Sequence, residues 1–131
     1  MDLPTAWNLD DKSTYLNADS SGLRVNYEGL GESDKDVGVI RANNPIPPYC
    51  KLFYFEVDII DEGKNNFIGI GFCEKEVALN RMPGWDDGTL YPCVGLRSQG
   101  GSIEVNFGSR KFKFAATTSN DMGDELLKNK E

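Results

Sequence analysis

Histidine is absent from all 131 positions of the sequence. It is the usual general base near neutral pH, the partner of serine and cysteine nucleophiles, and the commonest metal ligand. Its absence therefore removes those catalytic and metal-binding arrangements together. Glycine-rich phosphate loops, calcium-loop spacing and the G-x-S-x-G elbow are missing as well. We expect a protein that is not an enzyme and that holds no cofactor and no metal ion.

Basic residues and long apolar runs are also scarce. The chain has 14 basic residues against 21 acidic ones, a net charge of -7, which repels phosphate backbones and argues against nucleic acid as a partner. The apolar stretches have the length of strands, far below the roughly twenty residues of a membrane-spanning helix. The first residues, Met1 to Pro4, do not form a secretory signal. We expect an intracellular protein, cytoplasmic or nuclear, with no membrane contact.

Cysteine is sparse too, with Cys50, Cys73 and Cys93 as the only three. Their odd number and the lack of a C-x-x-C pair favour buried reduced thiols over a disulfide framework or a metal site. The length of the chain is that of one domain.

Short alternating segments dominate what the sequence does contain. Within Leu52 to Ile60, one face of an extended strand would carry Phe53, Phe55, Val57 and Ile59 and the other Tyr54, Glu56 and Asp58, the period-two pattern of a half-buried strand. A second strand at Asn66 to Phe72 follows a polar link with a glycine, so we expect the two strands to pair as an antiparallel hairpin. Further strands are predicted at Leu23 to Tyr27, Val37 to Ala42, Leu90 to Leu96, Ser102 to Phe107 and Lys111 to Phe114. This spacing predicts an all-β sandwich or barrel.

The C-terminal part of the chain differs in composition. From residue 115 onward it is polar and acidic, and a segment this short forms one marginal helix at Asp124 to Lys130 or none. We expect one domain at residues 1–114 and a disordered tail at residues 115–131.

Two irregular segments could each have a structural role or bind a ligand. In Leu79 to Trp85, a Met-Pro-Gly turn precedes a tryptophan that either plugs the core beneath a loop or anchors a recognition surface. The segment Asn43 to Pro48 carries three prolines. We interpret it as a stiff connector between strands rather than as the ligand of an aromatic groove.

Seven strings of residues stand in the order found in SPRY domains. They are Trp7 with Gly22 to Tyr27, Val39 to Pro47, Phe53 to Val57, Ile68 to Gly71, Leu79 to Trp85, Leu90 to Leu96 and Glu104 to Gly108. The chain resembles SPRY domains, and most of all those of the Ran-binding protein M kind. The resemblance implies a twisted antiparallel β-sandwich whose end loops grip short peptide segments of partner proteins. It also implies a place in a ubiquitin-ligase scaffold.

One departure from the family is large. Only Asp86 to Thr89 separates Trp85 from Leu90, where the family has a glycine-rich loop, a strand and a hairpin. The resemblance therefore implies that several core strands are missing near residues 86–89. Bare sheet faces would expose apolar side chains, which we expect at Phe53, Phe55, Ile68 and Ile70. Re-pairing of the remaining strands, a partner, or a homo-oligomer formed through the exposed sheet edges would each relieve this exposure.

The resemblance places peptide binding in the end loops. Of the loops that remain, we expect the contacts from residues 29–35, 45–49 and 79–85. The candidate peptide-binding residues are Leu30, Lys35, Tyr49, Leu79, Arg81, Met82 and Trp85. Arg41 lies within a predicted strand, and we expect its role to be structural.

Two other functions stay open at this stage. One is a carbohydrate-binding sandwich, although the adjacent Asp86 and Asp87 fit a solvated turn better than the two separated carboxylates of a glycosidase. The other is a degenerate, shortened copy of the domain without binding activity.

Overall fold

A computed structural model of the chain describes residues 2–75 and 88–114, and the predicted tail and its helix lie outside these ranges. The described strands are β1 (Leu16–Ala18), β2 (Arg24–Tyr27), β3 (Gly38–Arg41), β4 (Glu56–Asp61), β5 (Ile68–Cys73), β6 (Tyr91–Leu96) and β7 (Ser102–Asn106). A short 3-10 helix, Asp34–Asp36, lies between β2 and β3. The predicted all-β class is confirmed. No helix in the described ranges has the length and apolar character needed to cross a membrane.

The described strands form two antiparallel sheets that share one core. The first has the order β1-β2-β7-β4 and the second the order β3-β6-β5. Inward-facing side chains of both sheets are fully or almost fully buried, among them Leu16, Val25, Ile40, Val94, Leu96, Ile103 and Val105. Trp7 closes one side of this core, where its ring lies 5.3 Å from that of Phe107. The chain is thus a β-sandwich of reduced size.

The predicted hairpin between β4 and β5 is wrong, because the two strands belong to different sheets. β4 pairs with β7, so that Val57 lies opposite Val105, whereas β5 pairs with β6 and Ile70 lies opposite Val94. The connection at residues 62–67 crosses from one sheet to the other. Period-two alternation identifies the apolar face of a strand, but it does not identify the neighbouring strand.

The predicted strand at Lys111 to Phe114 is also absent. The main-chain N–H groups of Lys113 and Phe114 instead donate hydrogen bonds to the carboxylate of Glu56, at 2.9 and 2.8 Å. The ring of Phe112 packs edge-on against Tyr54, with a centroid distance of 4.8 Å. This segment therefore covers the outer face of β4 without joining its ladder.

Four strands lie at the edge of a sheet within the described ranges, β1, β3, β4 and β5. The outward side of β3 is covered, because the Ser13 and Asn8 N–H groups donate to the Val39 and Arg41 carbonyls, and β1 has only three residues. Neither β4 nor β5 has a second neighbour there. Ile59 and Ile70 face the interior, opposite the fully buried Ile103 and Val94, yet they are 50% and 49% exposed. The exposure expected at Ile70 is therefore present, whereas Phe53, Phe55 and Ile68 are half-buried.

Candidate functional site

Three connections between strands meet at one end of the sandwich. They are residues 28–37 between β2 and β3, residues 62–67 between β4 and β5, and residues 97–101 between β6 and β7, and together we call them the loop end. Arg97 N–H donates to the Phe67 carbonyl at 2.9 Å. A Cβ on Gly31 would lie 3.3 Å from the side-chain oxygen of Asn65 and 3.4 Å from the Arg97 backbone. The three connections therefore pack against one another.

The hydroxyl of Ser98 fixes the connection between β4 and β5. Ser98 is fully buried, and its Oγ accepts hydrogen bonds from the N–H groups of Asn65 and Asn66, both at 3.0 Å. The same hydroxyl donates to the Glu62 carbonyl at 2.6 Å. Gly63 has a positive φ of 72°, and a Cβ there would collide with Ser98 Oγ, so this turn requires glycine.

The carboxylate of Asp36 fixes the connection between β2 and β3. It accepts hydrogen bonds from the N–H groups of Glu32 and Ser33, at 3.1 and 3.2 Å, and from the Tyr15 hydroxyl at 3.2 Å. The Tyr27 hydroxyl donates to the main-chain oxygen of Asp36 at 2.5 Å. The Asp36 charge raises the pKa of Tyr15, and burial together with that charge raises the pKa of Tyr27. Both phenols therefore remain hydrogen-bond donors at neutral pH.

The loop end presents apolar side chains next to a charged one. Leu30 and Phe67 are each 58% exposed. The Arg97 guanidinium lies 4.2 Å from the centre of the Phe67 ring, and its NH1 lies 3.2 Å from Asp34 Oδ1. The Asp34 side chain is 98% exposed, and an ion pair this exposed contributes little stability. Its carboxylate is therefore accessible to a cation from a ligand.

The structure separates the predicted site residues into two places. Leu30 and Lys35 belong to the loop end and are exposed. Tyr49 is exposed in the connection between β3 and β4 at the opposite end, where Ile46 N–H donates to the Leu90 carbonyl at 2.9 Å. The other predicted site residues, Leu79, Arg81, Met82 and Trp85, lie outside the described ranges.

Arg41 has a structural role, as the sequence indicates. It is buried, it forms an ion pair with Asp11, and its NH1 donates to the Ala42 carbonyl at 3.1 Å. Its guanidinium also lies 4.7 Å from the centre of the Tyr91 ring. A cation held in this way is not available to a ligand.

Sequence reasoning missed Phe67, Arg97 and Ser98. Arg97 and Ser98 follow the predicted strand Leu90 to Leu96, and Phe67 lies near the start of the predicted strand Asn66 to Phe72, so the alternating pattern marks none of them as a surface residue of a loop. One signal was available, because successive antiparallel strands place alternate connections at the same end of a sandwich. The connections that begin at residues 28, 62 and 97 obey this rule.

The described ranges show no metal-binding cluster and no disulfide. They contain no group of three or more Cys, Asp or Glu side chains arranged to hold an ion. Cys73 is buried, Cys50 and Cys93 are half-buried, and none of them forms a disulfide. A hydrogen bond with Cys73 and burial raise the pKa of Cys93. That thiol is therefore protonated and unreactive at neutral pH.

Comparison with known proteins gives relatives that are named Ran-binding proteins. No protein-family model matches the chain. Ran-binding protein 9 of Xenopus laevis is 46% identical over 83 residues, which are 63% of this chain and 15% of the relative. The Ran-binding protein M homolog of Arabidopsis thaliana is 35% identical over 100 residues, which cover 69% of this chain and 21% of the relative. These similarities confirm the resemblance to SPRY proteins of the Ran-binding protein M kind.

A third relative aligns with nearly the whole chain. The Ran-binding proteins 9/10 homolog of Drosophila melanogaster is 29% identical over 187 residues, which cover 97% of this chain and 19% of the relative. The alignment is longer than the chain itself, so the fly protein has residues inside the matched region that this chain lacks. That difference agrees with the shortening inferred from the motifs. The chain spans about a fifth or less of the length of these relatives.

Proposed function

We propose that this chain, which belongs to the SPRY proteins of the Ran-binding protein M kind, is a non-enzymatic module that binds short extended segments of other proteins. One observation carries the proposal: the loop end is held in place by hydrogen bonds that the Ser98 hydroxyl and the Asp36 carboxylate accept from main-chain N–H groups, and it exposes Leu30 and Phe67. A rigid surface loses little conformational entropy on binding. Exposed apolar side chains on a rigid surface are the usual anchors of peptide recognition.

The charge of the loop end specifies the kind of segment. The connection between β2 and β3 carries carboxylates at Glu28, Glu32, Asp34 and Asp36 against one lysine, Lys35. An apolar residue of the ligand would contact Leu30 and Phe67, and a neighbouring basic residue would contact the exposed carboxylate of Asp34. We therefore propose a segment in which an apolar and a basic residue are adjacent or nearly so.

A random-peptide phage library panned on the folded chain tests this proposal. We expect enriched clones that share an apolar and a basic residue, and we expect Leu30→Ala to weaken their binding by about 1–2 kcal/mol, roughly a tenfold change in Kd. Leu9→Ala is the matched control. Leu9 is 44% exposed and lies beside Arg41 at the opposite end, because Asn8 N–H donates to the Arg41 carbonyl. This variant should bind normally.

Three other results would each contradict the proposal in a different way. Equal binding by Leu30→Ala, with loss in Tyr49→Ala or Trp85→Ala, would favour the other predicted site residues, which are Tyr49, Leu79, Arg81, Met82 and Trp85. Saturable binding on a glycan array would favour the carbohydrate-binding alternative. A folded chain that enriches no clone and binds no glycan would indicate a degenerate copy.

The remaining proposals concern the cellular setting and the limits of the module. We propose residues 1–114 as the domain, residues 115–131 as a tail, and an intracellular location. From the resemblance to Ran-binding protein M we propose that the module recruits proteins to a ubiquitin-ligase assembly. Proximity labelling in cells should then mark ligase subunits, and labelling without them would contradict this role.

We further propose that the chain associates with itself through its bare sheet edges. Unpaired N–H and C=O groups along an edge are a template for another strand. In the described ranges, β4 and β5 both carry such an edge.

A further inference from the structure

We infer that a second copy of the chain pairs with this one along β5, so that two three-stranded sheets join into one sheet of six. The inference rests on the proposed self-association and specifies its strand and register. Within the described ranges, β5 lies at the edge of its sheet, next to β6 only. The order across the joined sheet would be β3-β6-β5 followed by β5-β6-β3 of the second copy.

Charge distinguishes the edge of β5 from the edge of β4. β5 reads Ile-Gly-Ile-Gly-Phe-Cys and contains neither a charged residue nor a proline. Natural sheets protect their edges with charges, prolines or bulges, and β5 has none of the three. β4 carries Glu56, Asp58 and Asp61, and its register with β7 is broken by an irregularity between Ile59 and Asp61. Two copies of β4 would bring like charges together, so β5 is the edge that fits its own copy.

The hydrogen-bond pattern of β5 shows which main-chain groups face the open edge. The Phe67 carbonyl accepts a hydrogen bond from Arg97 and so points toward β6. In an antiparallel ladder the N–H and C=O groups of successive residues point alternately to the two sides of the strand. Those of Gly69 and Gly71 therefore also point toward β6. The N–H and C=O groups of Ile68, Ile70 and Phe72 point the other way, to the open edge.

This alternation fixes the register of the pair. An antiparallel arrangement with its two-fold axis at Ile70 places that residue opposite its own copy and places Ile68 opposite Phe72. All three edge-facing residues then exchange bonds with the second copy, about six hydrogen bonds in total. A shift by one residue would turn the apolar side chains of the two copies to opposite faces of the sheet.

The side chains of β5 suit the same register. Ile70 and Phe72 face the interior of the sandwich but are 49% and 48% exposed, and pairing would bring each against an apolar side chain of the other copy. On the outer face, a Cβ at Gly69 or Gly71 would meet no atom within 4 Å. No side chain on that face obstructs the approach of a second strand.

The test compares two isoleucines of equal exposure on the two edges. Sedimentation equilibrium over a concentration series should give a dimer for the wild-type chain and for Ile59→Lys. For Ile70→Lys the dissociation constant should rise at least about tenfold, because the two lysines would lie opposite each other. Circular dichroism checks that each variant keeps its β spectrum.

Mixing charge variants tests the two-fold register directly. Ile70→Lys and Ile70→Glu should each be monomeric alone, and an equimolar mixture should dimerise, because residue 70 faces itself across the axis. If either variant fails to fold, hydrogen exchange of the wild-type chain serves instead. The amides of Ile70 and Phe72 should gain protection as concentration rises, and those of Gly69 and Gly71 should not.

The outcomes separate this inference from the broader proposal. A wild-type chain that is monomeric at every concentration would overturn both self-association and the β5 pair. Three results would overturn the β5 register alone. The first is a dimer that Ile59→Lys weakens as much as Ile70→Lys does, and the second is a mixture of the two charge variants that does not dimerise. The third is a wild-type dimer in which the amides of Ile70 and Phe72 gain no protection. Binding of panned peptides at the loop end is independent of each of these results.

Discussion

Single side chains decide whether the loop end is rigid. Ser98 bonds to three main-chain groups of the connection between β4 and β5, and Asp36 performs the same role for the connection between β2 and β3. Neither residue stands out in the sequence, because a serine or an aspartate in a polar turn is common. The effect of Ser98 depends on its burial, and that of Asp36 depends on the fold of the turn around its carboxylate; the sequence reveals neither.

Ser98→Ala should loosen the loop end and lower the stability of the chain. The N–H groups of Asn65 and Asn66 would lose an acceptor at a partly buried position, which costs about 1–2 kcal/mol in the free energy of unfolding. Urea denaturation measures this loss. Ser109→Ala, at an exposed position, is the control and should change the free energy of unfolding by less than about 0.5 kcal/mol. Equal stability of the two variants would show that the Ser98 hydroxyl does not hold the loop.

At the scale of strands and segments, the alternation of apolar and polar residues predicted which face of a strand is apolar. It did not predict which strand lies beside it. Val57 and Ile59 of β4 face the core side, as predicted, and Glu56 and Asp58 bind Lys113 on the outer face. The same alternation at Lys111 to Phe114 wrongly predicted a strand. There the acceptors are carboxylate oxygens of a side chain, and no sequence pattern marks such a pairing. β1, with three residues, was missed because so short a strand has no measurable period.

Contact between the Lys111–Phe114 segment and β4 should make the chain sensitive to acid. A hydrogen bond and charge from Lys113, with further help from Arg110, lower the pKa of Asp58 against the opposing effect of burial. For Glu56, burial acts to raise the pKa, but hydrogen bonds from Tyr54, Lys113 and Phe114 together lower it. A carboxylate with a lowered pKa in the folded state stabilises the fold above its ordinary pKa and loses that effect as pH falls.

Glu56→Gln should therefore reduce the loss of stability in acid. The ordinary pKa values are 4.5 for Glu56 and 3.8 for Asp58, so the contribution is complete above about pH 5 and declines below it. The free energy of unfolding, measured by denaturant titration from neutral pH down to about pH 3, should fall less steeply for the variant than for the wild-type chain. Parallel curves would mean that the Glu56 carboxylate does not hold the segment.

At the scale of the whole molecule, the sandwich has a closed side and an open side. Trp7, Phe107 and the inner faces of β2, β6 and β7 form the closed side, where the core is fully buried. β4 and β5 border the open side. The family resemblance predicted both the fold and the missing strands, because the shared motifs encode the core. It did not predict which loops converge, since that depends on the assignment of β4 and β5 to different sheets.

The two proposed surfaces of the molecule are separate. The peptide surface lies at the loop end, on connections fixed by Ser98 and Asp36. The self-association surface lies along β5, the edge of the second sheet. A change at one surface should leave the other intact, so their functions are separable by single substitutions.

Amide chemical-shift mapping by NMR, with a peptide obtained from the library selection, tests the central claim most directly. A dispersed β-type spectrum is expected, with peptide-induced shifts concentrated at residues 29–36, 62–67 and 97–101. Shifts concentrated at residues 43–50 would contradict the assignment of the loop end as the binding surface. A spectrum with the narrow amide dispersion of a disordered chain would contradict the fold itself, because the loop end exists only if the shortened sandwich folds.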